Sequence, residues 1–315
     1  MTRPIASPAA DDTDLVDFGV PEDLQPYLDA AADVARAPAA RRAEAVRTLG
    51  LAEVLPELAP AAACSLLFHA ARVLAQADPA AAWAGLHAAP AVWLAGPHGA
   101  PVALPAVPAG GWCAWLARPE EGAGVLLLDP AARRWRRGTA APDWDGGAPL
   151  TGLGGARLVR LPEPDGDTAW QAAGDAAWQA HADAQLALHG GLIAGTGARL
   201  LDEAFEYAAL RPSAGKPLLQ HQAVALRLAD ATMAQASLGL YLQALACGGT
   251  AGQAPAAGYV AEVACGIARD ALQTAAGHGY VDGLPFLRLF EAMQALCARF
   301  GALALPLCAP VTEEA

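Results

Sequence analysis

The feature that most constrains the fold is a series of four long helical segments between about residues 168 and 301. The first, residues 175–210, reads DAAWQAHADAQLALHGGLIAGTGARLLDEAFEYAAL and contains no proline. Its glycine-rich patch either permits close helix packing or marks a kink. The other segments begin near Lys216, Tyr259 and Pro285. Long helices joined by short connections are typical of antiparallel bundles, so the sequence predicts a four-helix bundle over residues 168–302.

The residue pattern divides the chain before the bundle into two regions. Residues 21–96 are helical in pattern, and the run CSLLFHAARVLAQAD places Leu66, His69 and Val73 on one face before Asp78-Pro79 breaks it. Residues 97–167 are dense in proline and glycine, and they carry short apolar runs of strand length such as GVLLLD and ARLVRLP. The prediction is a mainly α protein with an N-terminal helical domain (21–96), a truncated β domain (97–167) and loose tails (1–20 and 303–315).

The composition excludes several classes of protein. With 55% hydrophobic and 17% charged residues, the chain can form a large core. A formal charge of -12 indicates that nucleic acid is not a partner, and the basic run RRWRR is interpreted as a hairpin edge. The sequence offers no uninterrupted apolar run of roughly 20 residues, so we expect no membrane span. Six scattered cysteines without C-x-x-C predict free thiols in a reducing cytoplasm.

Common catalytic motifs are absent from the sequence. There is no G-x-S-x-G elbow and no Walker loop, and GHGYVDG follows a helix rather than a strand, which disfavours a Rossmann site. His181 and His189 are two helical turns apart and could share a face. Such a pair is more often packed or solvated than metal-binding, so no metal site is predicted.

Three stretches of the sequence follow patterns shared by one enzyme family. EYAALRPSAGKPLLQHQAVALRLAD, residues 206–230, is similar to the pattern EYAxxRxxFGKPIxxFQAVxxxLAD. Residues 262–290, EVACGIARDALQTAAGHGYVDGLPFLRLF, resemble EVAxxxxxxAxQxxGGxGYxxxxPxxRxxRD, and residues 71–90 resemble a weaker upstream pattern. By these motifs the chain resembles the acyl-CoA dehydrogenase family. That family has an N-terminal helical domain, a middle β domain and a C-terminal four-helix bundle, and it removes the α and β hydrogens of acyl-CoA thioesters with FAD.

The resemblance also implies a cofactor site. In the family, the R-x-x-F-G segment and the Q-x-x-G-G-x-G corner approach the phosphates and adenosine of FAD, usually across a subunit interface. Glycine lets the backbone come close to a pyrophosphate, and arginine supplies a bidentate cation. Position by position, the implied FAD contacts are Arg211, Gly215, Gln222, Gln273, Gly277 and Gly279.

The departures from the family pattern concern the reactive end of the flavin. Ala276 replaces the first glycine of the corner, Ala214 the phenylalanine and His221 an aromatic residue. Nothing matches the family strands YCLTEPxAGSD and W-I/V-T-N, which contact the isoalloxazine ring. The two family positions for the catalytic carboxylate fall on Phe300 and Gln185, and neither side chain can accept a proton. No catalytic residue is therefore predicted.

Two classes of function, and a third simpler one, fit these observations. The chain is either an active dehydrogenase with a displaced base or the base-less subunit of a hetero-oligomer. In the second class, an acyl-CoA dehydrogenase-type partner supplies the ring pocket and the carboxylate, and FAD is shared between the subunits. The third class is a flavin-free scaffold. Glu203 and Glu206 lie near the end of the first bundle helix, where a solvated role is favoured over a catalytic one. The missing strands and both lost bases favour the hetero-oligomer.

Overall fold

The structure, a computed structural model, describes residues 20–96, 100–105, 111–117, 124–139, 146–161, 169–248, 257–281 and 283–308. The predicted N-terminal tail lies outside the described residues except for Val20. The described chain is mainly helical, with a small middle sheet between two helical regions, so the predicted fold class is confirmed.

Six α-helices form the N-terminal region over the described residues 20–96. They are α1 (Gln25–Ala35), α2 (Ala39–Arg47), α3 (Leu51–Val54), α4 (Pro60–Ala77), α5 (Pro79–Leu86) and α6 (Val92–Ala95). As the Asp78-Pro79 pair predicted, α4 ends at this dipeptide. Asp78 adopts an extended backbone, and its side-chain oxygen accepts hydrogen bonds from the backbone N–H groups of Ala80 and Ala81, both at 3.1 Å. The same residue thereby stops one helix and caps the next.

Among the residues that the structure describes, seven strands form the middle sheet, in the order β5-β6-β2-β1-β3-β4-β7. In this described part of the sheet, β1 pairs with β3 in parallel and the other pairings are antiparallel. The strands are β1 (Val102–Pro105), β2 (Trp112–Leu116), β3 (Gly124–Asp129), β4 (Arg134–Thr139), β5 (Ala148–Pro149), β6 (Arg157–Leu161) and β7 (Gln171–Ala172). The basic run RRWRR begins β4, where the guanidinium groups of Arg134 and Arg136 lie 4.9 and 4.8 Å from the ring centre of Trp170.

Four helices complete the fold: α7 (Asp175–Leu210), α8 (Gln222–Gly248), α9 (Ala257–Ala275) and α10 (Phe286–Cys308). The first two of these helices run in opposite directions. Along α7, Gly190 faces Leu242 of α8 whereas Gly197 faces Gln235, so the two helices are antiparallel. Between α7 and α8, the short strands β8 (Pro212–Ser213) and β9 (Lys216–Pro217) pair as a hairpin.

The glycine-rich patch of α7 packs against α4, and α7 is one continuous helix of 36 residues. A Cβ atom at Gly191 would lie 2.3 Å from the carbonyl oxygen of Phe68, and one at Gly195 would lie 2.2 Å from that of Arg72. Side chains cannot occupy such distances, so the glycines bring the two backbones together. Of the two sequence-based interpretations, close packing is confirmed.

The last helix continues to Cys308, past residue 302, where the sequence placed the end of the bundle. Leu303 and Leu307 are buried in a cluster with Val102, Leu126 and other residues of the sheet. Burial of these two side chains keeps residues 303–308 helical even though Pro306 lies inside the helix. None of the helices in the described ranges combines the length and apolar character that a membrane span requires.

Candidate functional site at the end of the bundle

The six residues implied as FAD contacts lie at one end of the bundle. Because the four helices alternate in direction, the end of α7, the start of α8, the end of α9 and the start of α10 meet there. The hydroxyl of Tyr207, one turn before Arg211, lies 3.0 Å from Nδ1 of His278 in the glycine corner. This contact joins the two motifs that the sequence placed 60 to 70 residues apart.

Arg211 is the C-cap residue of α7 and directly precedes the β8–β9 hairpin. Its backbone N–H donates to the carbonyl of Tyr207 at 2.9 Å, and its carbonyl accepts from the N–H of Leu218 at 2.8 Å. Its side chain is exposed, and within the described part of the chain it makes no ion pair or hydrogen bond. The guanidinium is therefore available to an anion outside this subunit.

Ala214 and Gly215 form the turn of the hairpin, and both have positive φ angles, 48° and 81°. The turn is held from the far side by His221, whose Nε2 lies 3.0 Å from the carbonyl oxygen of Ser213. Gly215 therefore has a structural reason to be glycine, since its left-handed backbone disfavours any side chain. Gln222, the first residue of α8, is exposed beside this turn.

The glycine corner is a short 3-10 helix, Ala276–Tyr280, that follows α9. Ala276 has a φ angle of 49°, a left-handed backbone conformation that glycine adopts more readily than alanine. A Cβ atom at Gly279 would lie 2.8 Å from Cδ1 of Leu272, whereas one at Gly277 would meet nothing within 4 Å. Gly279 is thus needed for internal packing. The backbone at Gly277 is open to the surroundings, and the side chain of Gln273 is also exposed.

A pocket of about 360 Å³ opens beside Arg211. Its wall includes Glu206, Tyr207 and Phe286, and the ring centres of Tyr207 and Phe286 are 5.8 Å apart at nearly right angles. Glu203 also lines it, but Oε1 of Glu203 lies 2.5 Å from Nη2 of Arg199. Glu203 is therefore held in an ion pair rather than simply solvated, and Glu206 is exposed.

The two positions at which the family carries its base are elsewhere, inside the protein. Gln185 and Phe300 are each 1% exposed. Gln185 shares a face of α7 with His181 and His189, at intervals of four residues, and all three side chains are buried. Each of the three has a buried nitrogen without a hydrogen-bond partner in the described structure: Nε2 of His181, Gln185 and His189.

The neighbouring charge in this interior is Arg299, which precedes Phe300 on α10. Its Nη2 donates to the carbonyl of Val102 at 3.0 Å, and its guanidinium lies 5.6 Å from the ring centre of Trp115. Burial lowers the pKa of Arg299 to about 10, so the group stays charged at neutral pH. Burial and the charge of Arg299 lower the pKa of His181 to about 4 and that of His189 to about 3. Both imidazoles are therefore neutral.

This polar interior was missed at the sequence level, apart from the shared face of His181 and His189, which is confirmed. The available signal was the spacing of His181, Gln185 and His189 on one helix face. Nδ1 of His181 lies 2.7 Å from the carbonyl oxygen of Pro90, and Nδ1 of His189 lies 2.8 Å from that of Gln185. Among the described residues, no group of three histidine, cysteine or acidic side chains is arranged to hold a metal ion.

Comparison with known families identifies the C-terminal part of the chain. Residues 179–303 match the sequence profile described as "Acyl-CoA dehydrogenase, C-terminal domain". This range includes every residue implied as an FAD contact and both base positions. Among curated protein sequences, none matches the chain.

Solved structures resemble the whole chain. Butyryl-CoA dehydrogenase from Megasphaera elsdenii superimposes with a TM-score of 0.64 at 15% identity, over 93% of this chain and 98% of that one. Glutaryl-CoA dehydrogenase from Mycobacterium smegmatis, in complex with FADH2, gives 0.65 at 13% identity, over 94% and 95%. A variant of the Tcur3481-Tcur3483 steroid ACAD gives 0.58 at 16% identity, over 92% and 97%. At these identities the likeness shows the fold.

Proposed function

Because the chain belongs to the acyl-CoA dehydrogenase family through its C-terminal domain, we propose that it takes part in FAD-dependent α,β-dehydrogenation of acyl-CoA thioesters as the base-less subunit of a hetero-oligomer. The α proton is removed by a carboxylate of the partner. FAD, when bound, supplies the acceptor for the β hydride. This chain contributes one side of the cofactor cradle and the surface on which the partner docks.

The observation that carries the proposal is the burial of Gln185 and Phe300. The reaction needs a carboxylate close to the α carbon, and neither position has one. Two buried base positions without a carboxylate favour a subunit that does not carry out the chemistry alone.

The bundle end suits the phosphate half of FAD. Arg211 is exposed and has no partner in the described chain, and the backbone at Gly277 is open. Both features can be satisfied by a pyrophosphate, through a charge-assisted hydrogen bond and a close backbone approach. The residues we assign to this contact are Arg211, Gly277 and Gln273, with Gly215 and Gly279 shaping the backbone and Gln222 beside it.

The outer face of α8 supports a docked partner. Leu226, Met233 and Leu240 recur every seven residues and are 55%, 63% and 53% exposed. Two turns of a helix separate successive members, so they form one apolar stripe. Apolar surface organised in this way marks a protein contact rather than a solvated face. We propose that the acyl-CoA dehydrogenase-type partner covers it.

The test compares the chain alone with the chain co-expressed with full-length acyl-CoA dehydrogenase-type proteins of its own genome that keep the carboxylate. We expect little flavin absorbance in the chain alone. The complex should contain FAD and oxidise acyl-CoA, and it should lose activity when the partner carboxylate is replaced by its amide. Stoichiometric FAD and acyl-CoA turnover by the chain alone would contradict the proposal and favour a displaced base. A pure chain that forms no complex and holds no flavin would favour the scaffold role.

A further inference from the structure

A second pocket, distinct from the one beside Arg211, lies where the three parts of the chain meet. Its volume is about 320 Å³. The N-terminal helices contribute Arg42 and the α4–α5 junction, the middle region contributes Gly152 and Gly154, and the bundle contributes Arg199 and Arg288. This size is at the lower end of the range for small-molecule sites.

The lining of this pocket, which we call the arginine pocket, is cationic. Three guanidinium groups, those of Arg42, Arg199 and Arg288, face a single carboxylate, Asp78. Glu203 pairs with Arg199 from the neighbouring pocket. With that carboxylate included, the formal excess is one positive charge, 3 − 2, in a chain whose net charge is -12. Arginines are concentrated here against the overall charge of the protein, which is the arrangement that attracts an anion.

Two of the arginines have unused hydrogen-bonding capacity. Arg42 is 15% exposed and fixed, since its Nη1 lies 3.1 Å from Oδ2 of Asp78 and its Nη2 donates to the carbonyl of Ala37 at 3.0 Å. Its Nε is buried and has no hydrogen-bond partner in the described structure. The side chain of Arg288 is exposed and makes no ion pair with a described residue. A phosphate oxygen can accept hydrogen bonds from the exposed guanidinium of Arg288.

The walls of the arginine pocket are rigid. The turn at Gly152 rests directly on α10, because a Cβ atom there would lie 2.0 Å from the backbone nitrogen of Ala292. The first turn of α10 supplies Arg288 and Leu289, and the start of a long helix carries partial positive charge that favours anions. A fixed, cationic cavity needs little reorganisation to bind a ligand.

From this arrangement we infer that the arginine pocket binds a phosphate-bearing small molecule, held by Arg42, Arg199 and Arg288. Its position between the N-terminal helices, the middle region and the bundle means that the bound anion joins all three. The site is separate from the cofactor contacts at Arg211, and the inference does not depend on the proposed role in dehydrogenation.

The experiment measures binding of inorganic phosphate to the full chain by calorimetry and by its effect on the melting temperature, at low ionic strength. We expect saturable binding that stabilises the protein and weakens with added salt. Arg288→Gln should weaken it about 10–100-fold, because a charge-assisted hydrogen bond is lost. Arg269→Gln, which removes an exposed arginine of α9 outside the pocket, should leave it unchanged.

A parallel titration with glycerol 3-phosphate separates two sources of the anion. Tighter binding than that of inorganic phosphate would identify an organic phosphate that fills the cavity, and equal binding would identify free phosphate. Two results would overturn the inference: absence of saturable binding of either compound, or equal affinities of Arg288→Gln and the unaltered chain.

Discussion

The outer end of the bundle and its interior have diverged from the family pattern in different ways. At the outer end, Ala276 stands where the family pattern has glycine and adopts a left-handed φ angle of 49°, and the backbone at Gly277 is open. In the interior, both base positions are buried and non-ionisable, and a charged Arg299 lies among neutral histidines. The outer end thus presents open backbone at Gly277, whereas neither Gln185 nor Phe300 in the interior can accept a proton.

This difference separates binding from chemistry. A cradle for a pyrophosphate depends on backbone shape and one or two cations, so it tolerates substitution of neighbouring side chains. Proton abstraction depends on one carboxylate at one place, and it is lost by a single substitution. A chain that keeps the first and not the second can still complete an active site supplied by another subunit.

The prediction with the largest expected effect tests the close contact between α4 and α7. Gly195→Ala should lower the free energy of unfolding by about 3 kcal/mol, because its Cβ would lie 2.2 Å from the carbonyl oxygen of Arg72. The control is Gly239→Ala on α8, where a Cβ meets nothing within 4 Å. That substitution should raise the free energy of unfolding by about 0.5–1 kcal/mol. Chemical denaturation measures both, and equal stabilities of the two variants would show that α4 and α7 are not in backbone contact.

The second effect concerns the neutral histidines. The usual pKa of histidine is 6.5, whereas the pKa values in the folded protein are about 4 for His181 and about 3 for His189. At a pH between these limits, the two side chains bind protons only in the unfolded state. The free energy of unfolding should therefore fall as the pH drops from 6.5 towards 4. His181→Asn should reduce this fall by roughly 1–3 kcal/mol, since one such proton is removed.

Urea denaturation at a series of pH values measures the slope for the unaltered protein and for His181→Asn. If the two proteins gave the same pH dependence, His181 would not be a buried neutral group.

The smallest effect on stability separates the two glycines of the corner. Gly279→Ala should cost about 1 kcal/mol, because its Cβ would lie 2.8 Å from Cδ1 and 3.0 Å from the carbonyl oxygen of Leu272. Gly277→Ala should change the free energy of unfolding by less than about 0.5 kcal/mol. A large loss of stability in Gly277→Ala would mean that its open backbone belongs to internal packing and not to a cofactor contact.

Long-range patterns in the sequence predicted the helices well. Residues 175–210 form one helix, as expected from a proline-free run, and Asp78-Pro79 ends α4 because the aspartate caps the following helix. The sequence predicted that the bundle ends at residue 302 and that a tail follows, whereas α10 continues to Cys308 and contains Pro306. Only tertiary burial of Leu303 and Leu307 against the sheet keeps that segment helical.

The candidate site was predictable to the extent that it consists of contiguous motifs. Arg211 and Gly277 could be placed by pattern, and the antiparallel bundle then brings them to one end. The arginine pocket could not, since it combines side chains far apart in the sequence, and in the polar interior Arg299 is distant from the three side chains of α7. Arg42 and Arg288, for example, meet only because the N-terminal helices pack beside the start of α10.

Above all, we propose that this chain holds the phosphate end of an FAD that it shares with a partner subunit. The direct measurement is the FAD content of the co-purified complex, by absorbance after denaturation, for Arg211→Ala and for Arg160→Ala, an exposed arginine of the middle sheet. Loss of a charged phosphate contact costs about 1.5–3 kcal/mol, or about 10–100-fold in affinity. We predict that Arg211→Ala releases FAD and lowers acyl-CoA oxidation while Arg160→Ala does neither. Unchanged FAD content in an intact Arg211→Ala complex would contradict the assignment.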